Sequence, residues 1–110
     1  MGIVALVVLG GALGSLARYA VLESAPTARP ATLLVNLSGC LLIGLLVARR
    51  PTDRARAFLG TGVLGGFTTM SAVAVDVASS EEPANIVYLA ISVVGGVALC
   101  RLGLALGARR

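Results

Sequence analysis

Four long apolar runs, Ile3 to Leu22, Ala31 to Ala48, Ala57 to Ala78 and Ala84 to Leu106, occupy most of this 110-residue chain. Crossing the hydrocarbon layer of a bilayer takes about 20 mostly apolar residues in a helix, so each run is an expected transmembrane span. The connectors carry the helix-breaking signals: Pro26 and Pro30 in the first, Pro51 in the second, Pro83 in the third. The expected architecture is all-α, a single membrane domain over residues 1–110 with spans at 3–22, 31–48, 57–78 and 84–106. Composition agrees, at 57% hydrophobic, 13% charged and a mean hydropathy of +0.97. A soluble domain of this size carries about a quarter charged residues. The first run is too long for a signal-peptide core and has no basic leader, so it is expected to stay in the mature protein.

The residue inventory excludes several classes. With no histidine to act as base, no nucleophile with a plausible partner and no phosphate-binding glycine loop, the chain is expected not to be an enzyme. Cys40 and Cys100 both sit inside apolar runs and read as small packing residues, because metal sites need clustered ligands and disulfide frameworks belong to small secreted domains. Arginines account for the net charge of +4. Arg49, Arg50, Arg54 and Arg56 fill the second connector and Arg109 and Arg110 close the chain. The opposite side receives only Arg29, with Glu23, Glu81, Glu82 and Asp76 near it. Loops that stay in the cytoplasm are enriched in basic residues. The expected location is therefore the cell inner (plasma) membrane, multi-pass, with both termini cytoplasmic. No aromatic residues are interleaved with the arginines, so nucleic acid is not an expected partner.

Polar residues inside the spans point to function. Arg18 lies within the first run, where a charge costs about 2.5 kcal/mol or more. It either snorkels to the interface beside Tyr19 or serves a structural or ion-attracting role. Asn36 in the second run can donate two hydrogen bonds, to an anion or to a neighbouring helix. The third run contains Gly62-Val63-Leu64-Gly65-Gly66-Phe67-Thr68-Thr69-Met70-Ser71. Paired glycines and paired threonines are poor helix material, which predicts a break over Gly65 to Thr69. Unwound backbone at membrane depth survives only when buried in protein or lining a watery cavity, and its carbonyls can coordinate a cation. Close packing through Gly62 and Gly66 would explain the glycines but not the threonines. In the fourth run Tyr88, Ser92 and Gly96 recur every four residues and share a face. Hydroxyls one turn apart can pass a dehydrated anion along, or Ser92 can bond back to its own helix.

These features resemble the small fluoride channels of the Fluc or CrcB family, across all four spans. Gly10-Gly11-Ala12-Leu13-Gly14 followed by Arg18-Tyr19 is similar to the family's first-helix signature. Thr32 to Gly39 is similar to its second, and Gly62 to Ser71 to its third-helix break. The resemblance implies an antiparallel dimer with two narrow pores and a passive route for fluoride out of the cytoplasm, conferring fluoride resistance. It also implies a structural sodium ion (Na+) held at the centre by the carbonyls of Gly65 and Thr68. The implied pore residues are Asn36, Thr69, Ser71, Tyr88 and Ser92, with Arg18 as the first-helix arginine.

One departure stands out: the family continues from its two threonines as Phe-Ser-Thr-Phe, whereas this chain has Met70-Ser71-Ala72-Val73. The rings whose positive edges would line a fluoride path are missing. The arginine bias is a second clue, since a subunit pairing antiparallel with its own copy must insert both ways. Together they lead to the expectation of a fixed-orientation member of a heterodimer, whose paralogous partner supplies the phenylalanines, the alternative partner being a second copy of the chain itself. Two other readings stay open. One is a proton-coupled small multidrug exporter, which needs an intramembrane carboxylate that the middle of the first span lacks. The other is a non-conducting accessory subunit.

Overall fold

Each apolar run forms a helix long enough to cross a membrane, and one of them is interrupted. The computed structural model describes residues 2–25, 27–79 and 81–109, with the backbone alone of Ala28 and Arg29. Pro26, Arg110 and the side chain of Arg29, invoked above for the first connector and the orientation, lie outside the described residues. Helix α1 covers Ile3–Ser24 and α2 covers Ala28–Ala48. The third span, Asp53–Ala78, is divided into α3 (residues 53–67) and α4 (Met70–Ala78). Helix α5 covers Ala84–Ala108. Two stretches, Arg56–Leu64 in α3 and Ile91–Gly95 in α5, wind more widely, as π-helix.

The local sequence accounts for where the helices stop and start. Thr52 caps α3 by accepting a hydrogen bond from Ala55 N at 3.1 Å, as short polar side chains do at helix starts. At the end of α2, Arg50 takes a left-handed conformation (φ 50°) and donates its N–H to Val47 O at 3.1 Å. Pro51 then prevents the helix from continuing.

The expected break is narrower than the sequence suggested. Gly65 and Gly66 remain helical, and only Thr68 (φ −81°, ψ 153°) and Thr69 (φ −149°, ψ 117°) are extended. Extended backbone suits β-branched residues, and threonine brings its own cap. Thr68 closes α3 by donating both its N–H and its Oγ1 to Leu64 O, each at 3.0 Å. Thr69 opens α4 by accepting from Ala72 N at 3.3 Å.

The glycines do a different job: they let backbones touch. Helices α1 and α3 run parallel with Gly10, Gly14, Gly62 and Gly66 at their seam. A Cβ on Gly62 would stand 2.9 Å from Gly10 Cα, and one on Gly66 would run into the Gly11 carbonyl. Helices α2 and α5 form a second parallel pair through Gly44, Gly103 and Gly107, where a Cβ on Gly107 would stand 2.6 Å from that of Ala48. Without a hydrophobic drive between helices in lipid, such close approach is what holds them together. Between the pairs lie the fully buried Val35 and Val73. The outer faces are apolar, with Val4, Leu16, Leu34, Val75, Ile86 and Val94 all more than 60% exposed, which suits lipid and not water.

Gly65 and Gly66 therefore answer differently to the same substitution. A Cβ at Gly65 meets only Gly60 O, at an ordinary 3.6 Å, so Gly65→Ala is expected to raise stability by about 0.5–1 kcal/mol. Gly66→Ala is expected to lower it by about 1–3 kcal/mol through overpacking. Thermal unfolding midpoints of the two variants in detergent check this, and matching shifts would overturn the packing account.

Candidate functional site

The break releases carbonyls in the middle of the bundle, and the polar side chains of the neighbouring helices converge on it. Asn36, on α2, donates Nδ2–H to Thr69 O at 2.8 Å and accepts from Thr69 N at 2.7 Å through Oδ1. One amide thus satisfies both backbone groups of the residue most displaced from helical geometry, as a neighbouring strand would. Arg18, on α1, donates from Nη1 to Thr68 O at 3.4 Å, and Ser15 Oγ donates to Gly66 O at 3.5 Å. Arg18 thus reaches the break from its place on α1. Its neighbour Tyr19 is 63% exposed.

Two cavities flank the break. The first, about 210 Å³, is lined by Asn36, Cys40, Ile43, Thr68, Thr69, Met70 and Ser92. The second, about 370 Å³, is lined by Arg18, Leu22, Thr69, Ser71, Ala72, Val75 and Asp76. Thr69 borders both, and its Oγ1 lies 3.1 Å from Ser71 Oγ. Whichever hydroxyl donates in that pair, the other keeps its proton for a third partner. The structure therefore brings Asn36, Thr69 and Ser92 to one cavity, and Arg18, Thr69 and Ser71 to the other.

Tyr88 lines neither cavity. It is buried, and its hydroxyl donates to Asp76 Oδ2 at 3.0 Å. Ser92 is also buried, and its hydroxyl donates to Tyr88 O at 2.9 Å, the back-bonding alternative raised above. The α5 stripe consequently faces the bundle interior, with the Ser92 proton used within its own helix. Gly96 on the same stripe faces Cys40, whose Sγ would stand 3.2 Å from an added Cβ. The substitutions at the phenylalanine positions also separate: Met70 is 61% exposed at the cavity, whereas Val73 is 0% exposed in the core.

The carbonyls proposed for sodium behave unequally. Thr68 N–H is the last donor to α3, through Leu64 O, and Thr69 N–H goes to Asn36, so the Gly65 carbonyl is released by the break. Thr68 O is released too, but the Arg18 guanidinium approaches it. Neutral carbonyl oxygens suit a hard cation, yet two oxygens fall well short of a coordination shell. The donor set fits only if a second break contributes as many again.

Sequence reasoning undervalued Asp76 and did not single out Asn85. Asp76 sits inside α4, half-buried, against Tyr88, and Asn85 Nδ2 donates to Val77 O at 3.1 Å. The signal was available: α4 and α5 form a helical hairpin, so a carboxylate just before its turn faces residues just after it.

Comparison with known proteins follows the same line. The profile of the family described as CrcB-like protein, Camphor Resistance (CrcB), matches residues 5–104. The chain is 42% identical to "Fluoride-specific ion channel FluC 1" of Rhodococcus jostii (strain RHA1), covering 96% of this chain and 86% of that one. It is 43% identical to "Fluoride-specific ion channel FluC 2" of Thermobifida fusca (strain YX), covering 96% and 87%. It is 45% identical to "Fluoride-specific ion channel FluC" of Paracoccus denitrificans (strain Pd 1222), covering 92% and 90%.

If Asn36 holds the break, Asn36→Asp keeps the acceptor for Thr69 N but sets a carboxylate oxygen against Thr69 O. The expected cost is about 1–3 kcal/mol. Measured by amide hydrogen exchange, Thr69 N–H should lose about tenfold of its protection for each 1.4 kcal/mol. Unchanged protection would show that the amide is incidental to the break.

Proposed function

Because this chain belongs to the CrcB family, we propose that it is a subunit of a passive fluoride-selective channel through which fluoride leaves the cytoplasm. The observation that carries the reading is the Thr69–Ser71 hydroxyl pair, set where two cavities meet beside a broken helix. The names of the relatives supply the ion.

A small, strongly hydrated anion crosses a narrow pore only if hydrogen-bond donors replace its water. The Thr69–Ser71 pair has a hydroxyl proton to offer. Asn36 Nδ2 keeps a second N–H beyond the one given to Thr69 O. Arg18 supplies positive potential at the second cavity without standing in the first. Tyr88 and Ser92 act at one remove, Tyr88 by holding Asp76 in place and Ser92 by closing the wall of the first cavity. Donors without a full charge in the path allow the ion to leave as readily as it enters.

The second subunit is inferred from what one chain lacks. Gly65, Met70 and Ser71 are exposed beside the break, a surface suited to an oppositely inserted chain. Two breaks facing each other would double the oxygens from Gly65 and Thr68 to four, as the sodium reading requires. Bound there, sodium would supply fixed positive charge between the pores. The arginines at Arg49, Arg50, Arg54, Arg56 and Arg109 favour one orientation, so the reading includes a paralogue as partner, inserted the other way and carrying the phenylalanines. Met70 and the buried Val73 also support the accessory reading, in which this subunit lends structure and the partner conducts.

Proteoliposomes loaded with fluoride separate these readings. With a fluoride electrode outside, the chain and its paralogue together are expected to release fluoride at least tenfold faster than the chain alone. In that mixture, replacing Thr69 by Val should remove most of the flux if this subunit's pore conducts. Flux from the mixture that ignores Thr69→Val would favour the accessory role, and no flux from any combination would sink the channel assignment.

A further inference from the structure

Two arginines, Arg18 and Arg101, lie well inside membrane spans and away from the span ends, and the bundle accommodates only one of them. Arg18 turns inward to the Thr68 carbonyl. Arg101, in the second half of α5, is exposed, and among the described residues no hydrogen bond or ion pair reaches it. The buried face of α5 is marked by Gly96, Gly103 and Gly107 against α2 and Cys40. At 100° per residue, Arg101 points away from that face. It shares its own side with Val94 and Val97, 67% and 57% exposed, and with Leu104. This is an exposed, mostly apolar surface with a guanidinium in it.

Its depth makes the problem acute. Gly107 packs against Ala48, the last residue of α2, and Arg49 and Arg109 follow at that end. Arg101 precedes the end of α5 by seven residues, about 10 Å at 1.5 Å per residue. Helical side chains lean toward the N-terminus, here toward the membrane centre. Snorkelling must therefore work against the natural direction of the side chain, and the guanidinium stops short of bulk water.

We propose that Arg101 holds the phosphate of an anionic lipid from the leaflet on the arginine-rich side of the membrane. A phosphate matches the planar fork of a guanidinium with two parallel hydrogen bonds. Arg109 follows the last residue of the same helix, eight residues after Arg101, and adds positive charge at headgroup level. Arg49, Arg50, Arg54 and Arg56 raise the potential of that side as a whole, with Asp53 as its only acidic residue. Clusters of this kind draw anionic lipids, while Glu23, Glu81 and Glu82 lie at the other end. The site thus anchors the subunit at one face of the bilayer and reinforces a single orientation. It depends on the membrane placement of α5 and not on the ion conducted.

Native mass spectrometry of the purified full-length chain, released from vesicles of phosphatidylcholine with or without phosphatidylglycerol, tests the assignment. The wild-type chain is expected to retain phosphatidylglycerol. R101Q should retain at least fivefold less, R101K an intermediate amount, and R109Q close to wild-type. If R101Q does not fold, R101K against R109Q still decides, because a headgroup-level effect would weaken the second at least as much as the first. Equal retention in wild-type and R101K, or displacement of the lipid by inorganic phosphate at matched concentration, would overturn the proposal. So would disulfide cross-linking of R101C to a second subunit in the membrane, which would place protein and not lipid on this face. Fluoride flux enters none of these readouts, so failure here leaves the channel reading standing.

Discussion

A bilayer offers no water to a stranded peptide group, and that constraint governs everything around the broken third span. Each main-chain donor or acceptor left bare in hydrocarbon costs several kcal/mol, so a break can persist only where side chains take over the lost bonds. Asn36 does this for both groups of Thr69, while Ser15 and Arg18 take the Gly66 and Thr68 carbonyls. These side chains come from α1 and α2, one from each glycine-seamed pair. The Asn36 bonds, which cross from the α2/α5 pair to the break, therefore also tie the two halves of the bundle together. Losing Asn36 would expose the break and loosen the joint between halves at once.

The glycine seams set the distances over which that repair can work. Because α1 and α3 touch backbone to backbone at Gly10, Gly14, Gly62 and Gly66, a short serine on α1 reaches a carbonyl of α3. A bulkier seam would push α1 outward and take Ser15 and Arg18 with it. The same residues that look like helix breakers in isolation thus sit within α3, which stays helical up to Phe67. Propensity argues against glycine in a helix by about 1 kcal/mol, and the interhelical contact it permits outweighs that cost here.

This explains how much was legible in advance. The spans were readable because hydropathy in lipid is a one-dimensional constraint: the expected 3–22 and 57–78 differ from the observed Ile3–Ser24 and Asp53–Ala78 mainly at their ends. The existence and place of a break were readable from the paired threonines, but its extent was not, since the glycines beside them had two competing uses. Asn36 stood out as an amide in an apolar run, yet its bidentate hold on Thr69 depends on two helices meeting in register, which no local pattern encodes. The Tyr88, Ser92 and Gly96 spacing correctly put three residues on one face. It could not say that the face would turn toward α2, or that Asp76 would claim the tyrosine hydroxyl.

Of the three positions where this chain departs from the family's Phe-Ser-Thr-Phe pattern, the two that lose a phenylalanine are not equivalent. Met70 sits at the mouth of the first cavity with most of its surface open, so a flexible thioether stands where a rigid ring edge would be. That change alters a wall of the cavity and leaves the core alone. Val73 is completely enclosed by the subunit's own packing, where close-packed interiors punish added volume. Its small size is built into the way α4 sits in the bundle, and a ring there would have to displace neighbours. One of these positions is thus filled by the chain's own packing, while the other lies open at the surface.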